Sequence, residues 1–339
     1  MKKLLSILLL AFMACTVSMA QDFCDAIAQT IQEAKTLVSQ GNTSRALNML
    51  KRAQNIPELK ECPNYSRLAE EIRSIESRQP SFSSEKTTVN GEPAERFTLN
   101  GVTFTMVSVK GGTFQMGATS EQGSDASRDE KPAHSVTLSD YYIGQTEVTQ
   151  ALWKAVMGSN PSYYKGNNLP VETVSWNDCQ QFIEKLNQLT GKMFRLPTEA
   201  EWEHAARGGN KSRGYKYAGG NTLDQVAWYW ENSGDSRLSG EWDSDKVFAN
   251  HCRTHPVGQK QANELGLYDM SGNVMEWCQD WYGSYISGAQ TNPTGPSSAS
   301  DRVSRGGGWY NGARYCRVSY RYINPPDYIY FFLGLRLAL

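Results

Sequence analysis

The chain is 339 residues long, with 34 Lys and Arg against 35 Asp and Glu and a formal charge of −1. That balance excludes the basic excess with which nucleic-acid binders hold phosphate. With 39% hydrophobic and 20% charged residues, 29 glycines, 17 tyrosines and 9 tryptophans, the composition fits a loop-rich, aromatic-studded globule, neither a helical bundle nor a disordered chain.

Residues 1–20 are expected to be a signal peptide. Lys2 and Lys3 precede an apolar run over 4–13, and Ser18-Met19-Ala20 is a small-x-small cleavage site before Gln21. The run is too short to span a bilayer, and Phe12-Met13-Ala14 ahead of Cys15 makes a poor lipidation box. No later segment is expected to cross a membrane. The mature chain is therefore expected in the periplasm, on the cell surface or secreted. Export leaves Cys24, Cys62, Cys179, Cys252, Cys278 and Cys316 in an oxidising compartment, where disulfides form.

Residues 21–78 read as a small helical domain. Ala26, Ile27, Thr30, Ile31, Ala34 and Leu37 recur at helical spacing, Gly41-Asn42 breaks the pattern, and Ser44 can cap a second helix through Ala53. Tyr65, Leu68, Ile72 and Ile75 mark a third. The arrangement resembles a tetratricopeptide-type hairpin with a capping helix. Cys24 and Cys62 fall at the two ends that such a hairpin brings together, so a disulfide between them is expected. Residues 79–96 are polar, with Pro80, Gly91 and Pro93, and read as a linker.

From Phe97 to the end the chain reads as one loop-rich α+β domain. Residues 104–109 and 135–138 look like strands, Asn177 to Thr190 like a helix, and Thr198 with Glu201 like a capping box opening another. Among Cys179, Cys252, Cys278 and Cys316 three pairings are open, with Cys278 to Cys316 favoured.

Ordered motifs then accumulate. Gly-Thr-Phe-Gln-Met-Gly stands at 112–117, Glu-Val-Thr at 147–149, and Pro-Val-Glu-Thr-Val-Ser-Trp-Asn-Asp at 170–178. Arg-Leu-Pro-Thr-Glu-Ala-Glu-Trp-Glu follows at 195–203, Gly-Leu-Tyr-Asp-Met-Ser-Gly-Asn-Val-Met-Glu-Trp at 266–277, and Arg-Val-Ser-Arg-Gly-Gly-Gly-Trp at 302–309. Gly-Leu-Arg at 334–336 closes the set. Together they resemble the sulfatase-modifying-factor family, whose founding member is the formylglycine-generating enzyme. The resemblance implies a C-type-lectin-like α+β fold over 97–339. It does not settle chemistry, since one fold hosts catalysts and binding modules alike.

The family's oxidases hold copper on two cysteines five positions apart, just after a Gly-Gly-Ser turn. Here the turn is Gly306-Gly307-Gly308, Asn311 stands at the first cysteine position, and Cys316 alone matches the second. An amide cannot replace a thiolate for soft copper, so copper and formylglycine generation are not expected. The family's iron-dependent branch is not expected either. The four histidines are His134, His204, His251 and His255, none of them in the helical segment. His251 and His255 are spaced to chelate only in a helix, and Pro256 and Gly258 indicate a loop. The resemblance does imply structural calcium, on the Asp269 and Glu276 carboxylates and the Gly272 and Val274 carbonyls, a hard-oxygen set suited to that ion.

Nine of the 24 residues from Trp309 to Phe332 are aromatic, against 11% for the chain, and no Lys, Glu, Gln, Met or Trp occurs from Tyr310 to Leu339. The bias resembles the variable region of proteins diversified by retroelements, where adenines of asparagine codons are randomised and those five residues never arise. The constant frame would be Arg305-Gly306-Gly307, Cys316-Arg317-Val318-Ser319, Arg321 and Gly334-Leu335-Arg336-Leu337. Varied positions would be Tyr310, Asn311, Gly312, Ala313, Tyr315, Tyr320, Tyr322, Ile323, Asn324, Tyr328, Ile329, Tyr330, Phe331 and Phe332. Tyrosine-rich loops on a rigid frame give contact area at low entropy cost. The expected function is an exported, non-catalytic binding protein for a protein or glycan ligand on a cell or phage surface, with Tyr310, Asn311, Tyr315, Tyr320, Tyr322, Ile323, Tyr328, Tyr330, Phe331 and Phe332 at its contact face. The alternative is a metal-dependent oxidase or oxygenase of the same family with an altered site.

Overall fold

A computed structural model describes residues 17–40, 42–76 and 81–339, in two units that divide at Pro80 and Ser81. Of the expected signal peptide, residues 1–16 lie outside the described residues, and Val17 opens a helix.

In the first unit, helices Val17–Ser39, Thr43–Gln54 and Ser66–Glu76 and a 3-10 turn at Pro57–Glu61 follow the apolar periodicity of the sequence. The second helix begins at Thr43, with Asn42 at the capping position where Ser44 was expected. Ile27, Ala34, Ala46, Leu50, Leu68 and Ile75 form its core. Cys24 and Cys62 are disulfide-bonded, with Cα atoms 5.3 Å apart and a sequence separation of 38. The turn between Glu61 and Ser66 brings Asn64 to the same end, where its side-chain amide donates to the Cys24 carbonyl. Closing a loop of this length restricts the unfolded chain, and reduction should destabilise this unit by about 4 kcal/mol. Calorimetry of the reduced and oxidised protein, in which the large unit serves as internal control, checks this.

The second unit mixes three sheets with helices. Strands β1 (Phe82–Val89), β2 (Glu92–Leu99) and β3 (Val102–Val109) form an antiparallel meander, extended by β6 (Tyr141–Gly144). Both meander turns are Asn-Gly pairs, with φ of 48° and 81° at Asn90 and Gly91 and of 51° and 79° at Asn100 and Gly101. Positive φ at both central residues matches the twist of the strands they join. Residues 81–96 are thus a hairpin and not the expected linker. Their polarity arises because β1 is an edge strand with mostly exposed side chains, which removes the alternation that marks a half-buried strand.

A second sheet comprises β4 (Thr113–Met116), β5 (His134–Thr137) and β8 (Gln290–Thr291). The third has the order β10-β9-β7-β11, from β7 (Met275–Trp281), β9 (Arg302–Arg305), β10 (Tyr322–Asn324) and β11 (Leu333–Leu335), with β11 parallel to β7. Helix Trp176–Thr190 starts where Ser175 accepts a bond from the Asp178 amide and ends at Gly191, φ 68°. Helix Glu199–Ala206 starts in the expected capping box of Thr198 and Glu201. Phe182 of the first helix stacks on Trp153 at 4.8 Å within a core that includes Phe97, Leu186, Trp277 and Leu335. Cys179, Cys252, Cys278 and Cys316 are buried and free. The favoured Cys278 to Cys316 pairing is not made, and these four thiols pack as small apolar groups.

Four buried guanidinium groups tie the C-terminal segment to upstream motifs. Arg336 reaches Glu276 at 2.6 Å, Arg317 reaches Glu130 at 2.6 Å, Arg321 reaches Glu199 at 2.6 Å, and Arg305 pairs with Glu203. Arg317 and Arg321 each use two nitrogens on both carboxylate oxygens, the strongest geometry for this pair.

Candidate functional site

The segment from Trp309 to Phe332 leaves the end of β9, runs through a 3-10 turn at Ala313–Cys316 and β10, and returns to β11. Trp309 is fully buried, and its indole N–H donates to the Phe331 carbonyl at 3.0 Å, which ties the start of the segment to its end. That tie brings Tyr310 against Phe331 at 5.4 Å and against Phe332 at 5.5 Å. Tyr330 lies 4.3 Å from Phe331 and stacks on Tyr328 at 5.8 Å. Tyr315, Tyr320 and Tyr322 form a second row, with centroids 4.9 Å and 6.5 Å apart.

Exposure separates the residues expected at the contact face. Tyr328 is 37% exposed, Ile329 51% and Ile323 43%. Tyr310, Asn311, Tyr315, Tyr320, Tyr322, Tyr330 and Phe331 are half-buried. Phe332, expected at the face, is instead part of the core at 9% exposure, because it is the last residue before β11 and turns inward with that strand. Asn324 is also buried, at 6%. The remaining expected variable positions keep solvent access, whereas every position of the expected constant frame is buried. A frame of buried Arg–carboxylate pairs carrying half-exposed aromatics can change its surface without changing its core.

Three further aromatics come from elsewhere in the chain, two from loops and Phe248 from helix Ser244–Ala249. Trp242, 46% exposed, lies edge-on to Tyr310 at 5.1 Å and donates its indole N–H to the Tyr310 carbonyl at 2.8 Å. Phe248, 47% exposed, is 5.8 Å from Tyr310 and 6.0 Å from Phe331. Tyr163, 67% exposed, is 6.2 Å from Phe331. The clue in the sequence is a tryptophan between two acids at Glu241-Trp242-Asp243, an expensive place for an indole that nothing uses. Clustered exposed aromatics of this kind mark contact sites.

Cys316, the residue aligned with the second copper cysteine, is buried, and burial pushes its thiol up to about 12. A thiol held neutral is a poor nucleophile and a poor ligand at physiological pH. Asn311 uses its backbone, donating to the Gly308 carbonyl and accepting from the Trp230 amide. His251 meets Asp235 at 2.6 Å, while His255 stacks on Trp228 at 3.7 Å and bonds the Ser233 carbonyl. Both histidines occupy loop, as Pro256 and Gly258 indicate.

The loop expected to hold calcium is built around buried charge. Asp269 has φ 57°, its Oδ2 accepts from the Gly258 amide at 2.7 Å, and its Oδ1 is buried with no partner. Burial pushes the Asp269 carboxyl up to about 6. A buried carboxylate oxygen without a partner is the kind of atom that a hard cation would satisfy. Glu276 fits less well, since Arg336 contacts both its oxygens at 2.6–3.0 Å and Trp202 donates to one at 2.6 Å. Neighbouring Glu147 accepts from the Asn273 amide group and the Val274 N–H. Burial, with Asp269 and Glu276 nearby, raises its carboxyl well above the usual range.

Among the described residues, no helix is long and apolar enough to cross a membrane. The sequence pattern of the sulfatase-modifying factor enzyme 1-like domain matches residues 94–339. The chaperone protein LppX of Paenibacillus barcinonensis is 39% identical over 249 residues, 63% of this chain and 82% of that protein. The formylglycine-generating enzyme of Mus musculus is 36% identical over 195 residues, 56% of this chain, of which the match spans only 50% of the enzyme. For the Streptomyces coelicolor enzyme the identity is 36% over 196 residues, 56% of this chain and 59% of the enzyme. Among solved structures, Treponema denticola variable protein 1 superposes with a TM-score of 0.60 at 33% identity, covering 75% of this chain and 98% of that one. With its motifs in order, its α+β fold and a match over most of its length, the chain belongs to the sulfatase-modifying factor enzyme 1-like family.

Proposed function

We propose that this is an exported, non-catalytic binding protein whose contact face is the aromatic surface of Tyr310, Tyr328, Tyr330 and Phe331, joined by Tyr163, Trp242 and Phe248. In this reading the large unit is a C-type-lectin-like scaffold and its partner a protein or glycan on a cell or phage surface. The observation that carries it is the division of the C-terminal segment into a buried arginine frame and an accessible aromatic face. Support comes also from the single buried thiol where the family's oxidases need two, and from two similar proteins named as a chaperone and as a variable protein. The same division supports retroelement diversification, since the positions that would vary are those that can vary without unfolding the domain. A reverse transcriptase gene and a near-repeat template beside this gene are expected on that account.

Panning a random peptide library on the purified protein tests the binding reading. Binders should compete with one another and should lose at least about tenfold in affinity to a variant carrying Trp242→Ser and Tyr328→Ser, as loss of aromatic anchors does elsewhere. The variant's melting temperature should stay within a few degrees of the parent's. Conversion of a cysteine-containing sulfatase peptide to its aldehyde in the presence of Cu(I) would favour the oxidase reading and end this one.

Calcium on Asp269 with the Gly272 and Val274 carbonyls belongs to the same proposal, with Glu276 as a charge fixed nearby by Arg336. A cation that binds only the folded state raises its stability. Calcium in excess should raise the melting temperature above that in EDTA, and Asp269→Asn should abolish the difference. Identical melting curves in calcium and EDTA would remove calcium from the account.

A further inference from the structure

The aromatic face has an acidic rim. Glu241 and Asp243 flank Trp242 in the chain, Asp245 lies in the first turn of helix Ser244–Ala249, which carries Phe248, and Asp327 precedes Tyr328; all four acids are exposed. At 100° per residue, Asp245 lies about 60° from Phe248 around that helix, whereas Lys246 lies about 160° away on the opposite side. The carboxylate therefore shares the aromatic side and the ammonium does not. Position agrees with electrostatics, because burial, Tyr330 and the Asp245 carboxylate together push the Tyr310 phenol up. Of these acids, Asp243 is occupied in capping the helix, accepting from the Asp245 and Lys246 amides. Glu241, Asp245 and Asp327 have no ion-pair partner among the described residues. Toward the Tyr163 side, Lys165 is turned to the Asn160 carbonyl, and Arg253 lies 3.9 Å from Asp235.

Resting on the reading of this face as the contact surface, we propose that it takes a basic, apolar segment of a protein partner, with Arg or Lys side chains laid over Trp242 and Tyr310 and paired with Glu241 and Asp245. A cation is attracted both by aromatic faces and by carboxylates at their edge, and the two attractions coincide here. A neutral glycan would use the rings but would leave the unpaired acids without a role. The rim also gives direction. Two of the three unpaired acids, Glu241 and Asp245, gather at the Trp242 and Phe248 end, whereas exposed Arg314 lies over Tyr315 at the end of the second aromatic row. A segment with its basic residues toward Trp242 is thus favoured over the reverse.

Three blocked ten-residue peptides, alternating leucine with arginine, glutamine or glutamate, serve as probes in titration calorimetry, with maltohexaose as a neutral glycan. The arginine peptide should bind the full chain about tenfold tighter than the glutamine peptide, and the glutamate peptide weakest of all. In Glu241→Gln/Asp245→Asn, two exposed positions whose change leaves the fold intact, that advantage should fall to within about twofold while glutamine-peptide affinity holds. Equal affinity of the arginine and glutamine peptides for the parent overturns the preference for cations but leaves the aromatic face standing. Arginine-peptide affinity unchanged in the Trp242→Ser/Tyr328→Ser variant would instead refute the face itself. Binding of maltohexaose with no peptide binding, or no binding of any probe, likewise overturns the basic-segment proposal.

Discussion

Arg317→Leu should destabilise the large unit by about 3–5 kcal/mol, the cost of leaving a buried carboxylate without its counter-charge. Arg317 and Glu130 are both fully buried, and the guanidinium donates to both Glu130 oxygens, to the Asp125 carbonyl and to the Gln122 side chain. Burial works against the ionised form of Glu130, but Arg317 and Ser319 more than offset it and hold the carboxyl below its ordinary value. The sign for pH follows. A lowered folded-state value means that the pair contributes fully above the free carboxyl range near pH 4, and that this contribution fades as pH falls through the lower folded value. In urea unfolding at neutral pH, adding Glu130→Gln to Arg317→Leu should recover part of the loss, because the neutral amide keeps the hydrogen-bonding shape without the stranded charge. Strict additivity of the two changes would show that they do not act as a pair.

How this pair escapes a sequence reading explains much of what was and was not legible. Arg317 and Glu130 stand 187 residues apart, and nothing local to either indicates burial. Features set by near neighbours were readable. The Thr198–Glu201 box, the helix read from Asn177 to Thr190 and the periodic core of the first unit depend on residues within a turn or two, as does the placement of Cys24 and Cys62 at one end of the helices. The β1–β2 hairpin reads as a linker although Asn90-Gly91 announces its turn, because an edge strand facing water carries a linker's composition. The aromatic face was half legible. Crowding of rings after Trp309 stands out in the sequence, but Tyr163, Trp242 and Phe248 reach it only through the folded chain, Trp242 from 68 positions upstream of Tyr310. Inward or outward parity in the irregular stretch from Tyr328 to Phe332 has no period to reveal it. Phe332 is fixed as core only by its place at the mouth of β11.

That last residue offers the sharpest division between frame and face. Phe332→Ala should cost about 3–4 kcal/mol, as truncation of a buried aromatic does when the cavity cannot collapse. Its ring is enclosed by Tyr310, Tyr330 at 4.5 Å and Phe331 at 5.6 Å. Its backbone carbonyl accepts from the Met275 amide at 2.7 Å, so the main chain is pinned and cannot follow the missing side chain inward. Tyr328→Ser, four residues earlier, removes a larger ring that is 37% exposed, yet should cost under about 1 kcal/mol. Changing Tyr330 and Phe331 together to serine should fall between these limits, since both are half-buried against the core. Volume alone would rank the tyrosine truncation as the more damaging, whereas burial ranks it the less, and the two orders can be told apart by denaturant midpoints measured at constant slope. Should Phe332→Ala prove as mild as Tyr328→Ser, the whole stretch would be surface and the contact face would extend to the β11 junction. With the expected order, positions able to change freely stop at Phe331, two residues before β11, which leads directly into the buried Arg336.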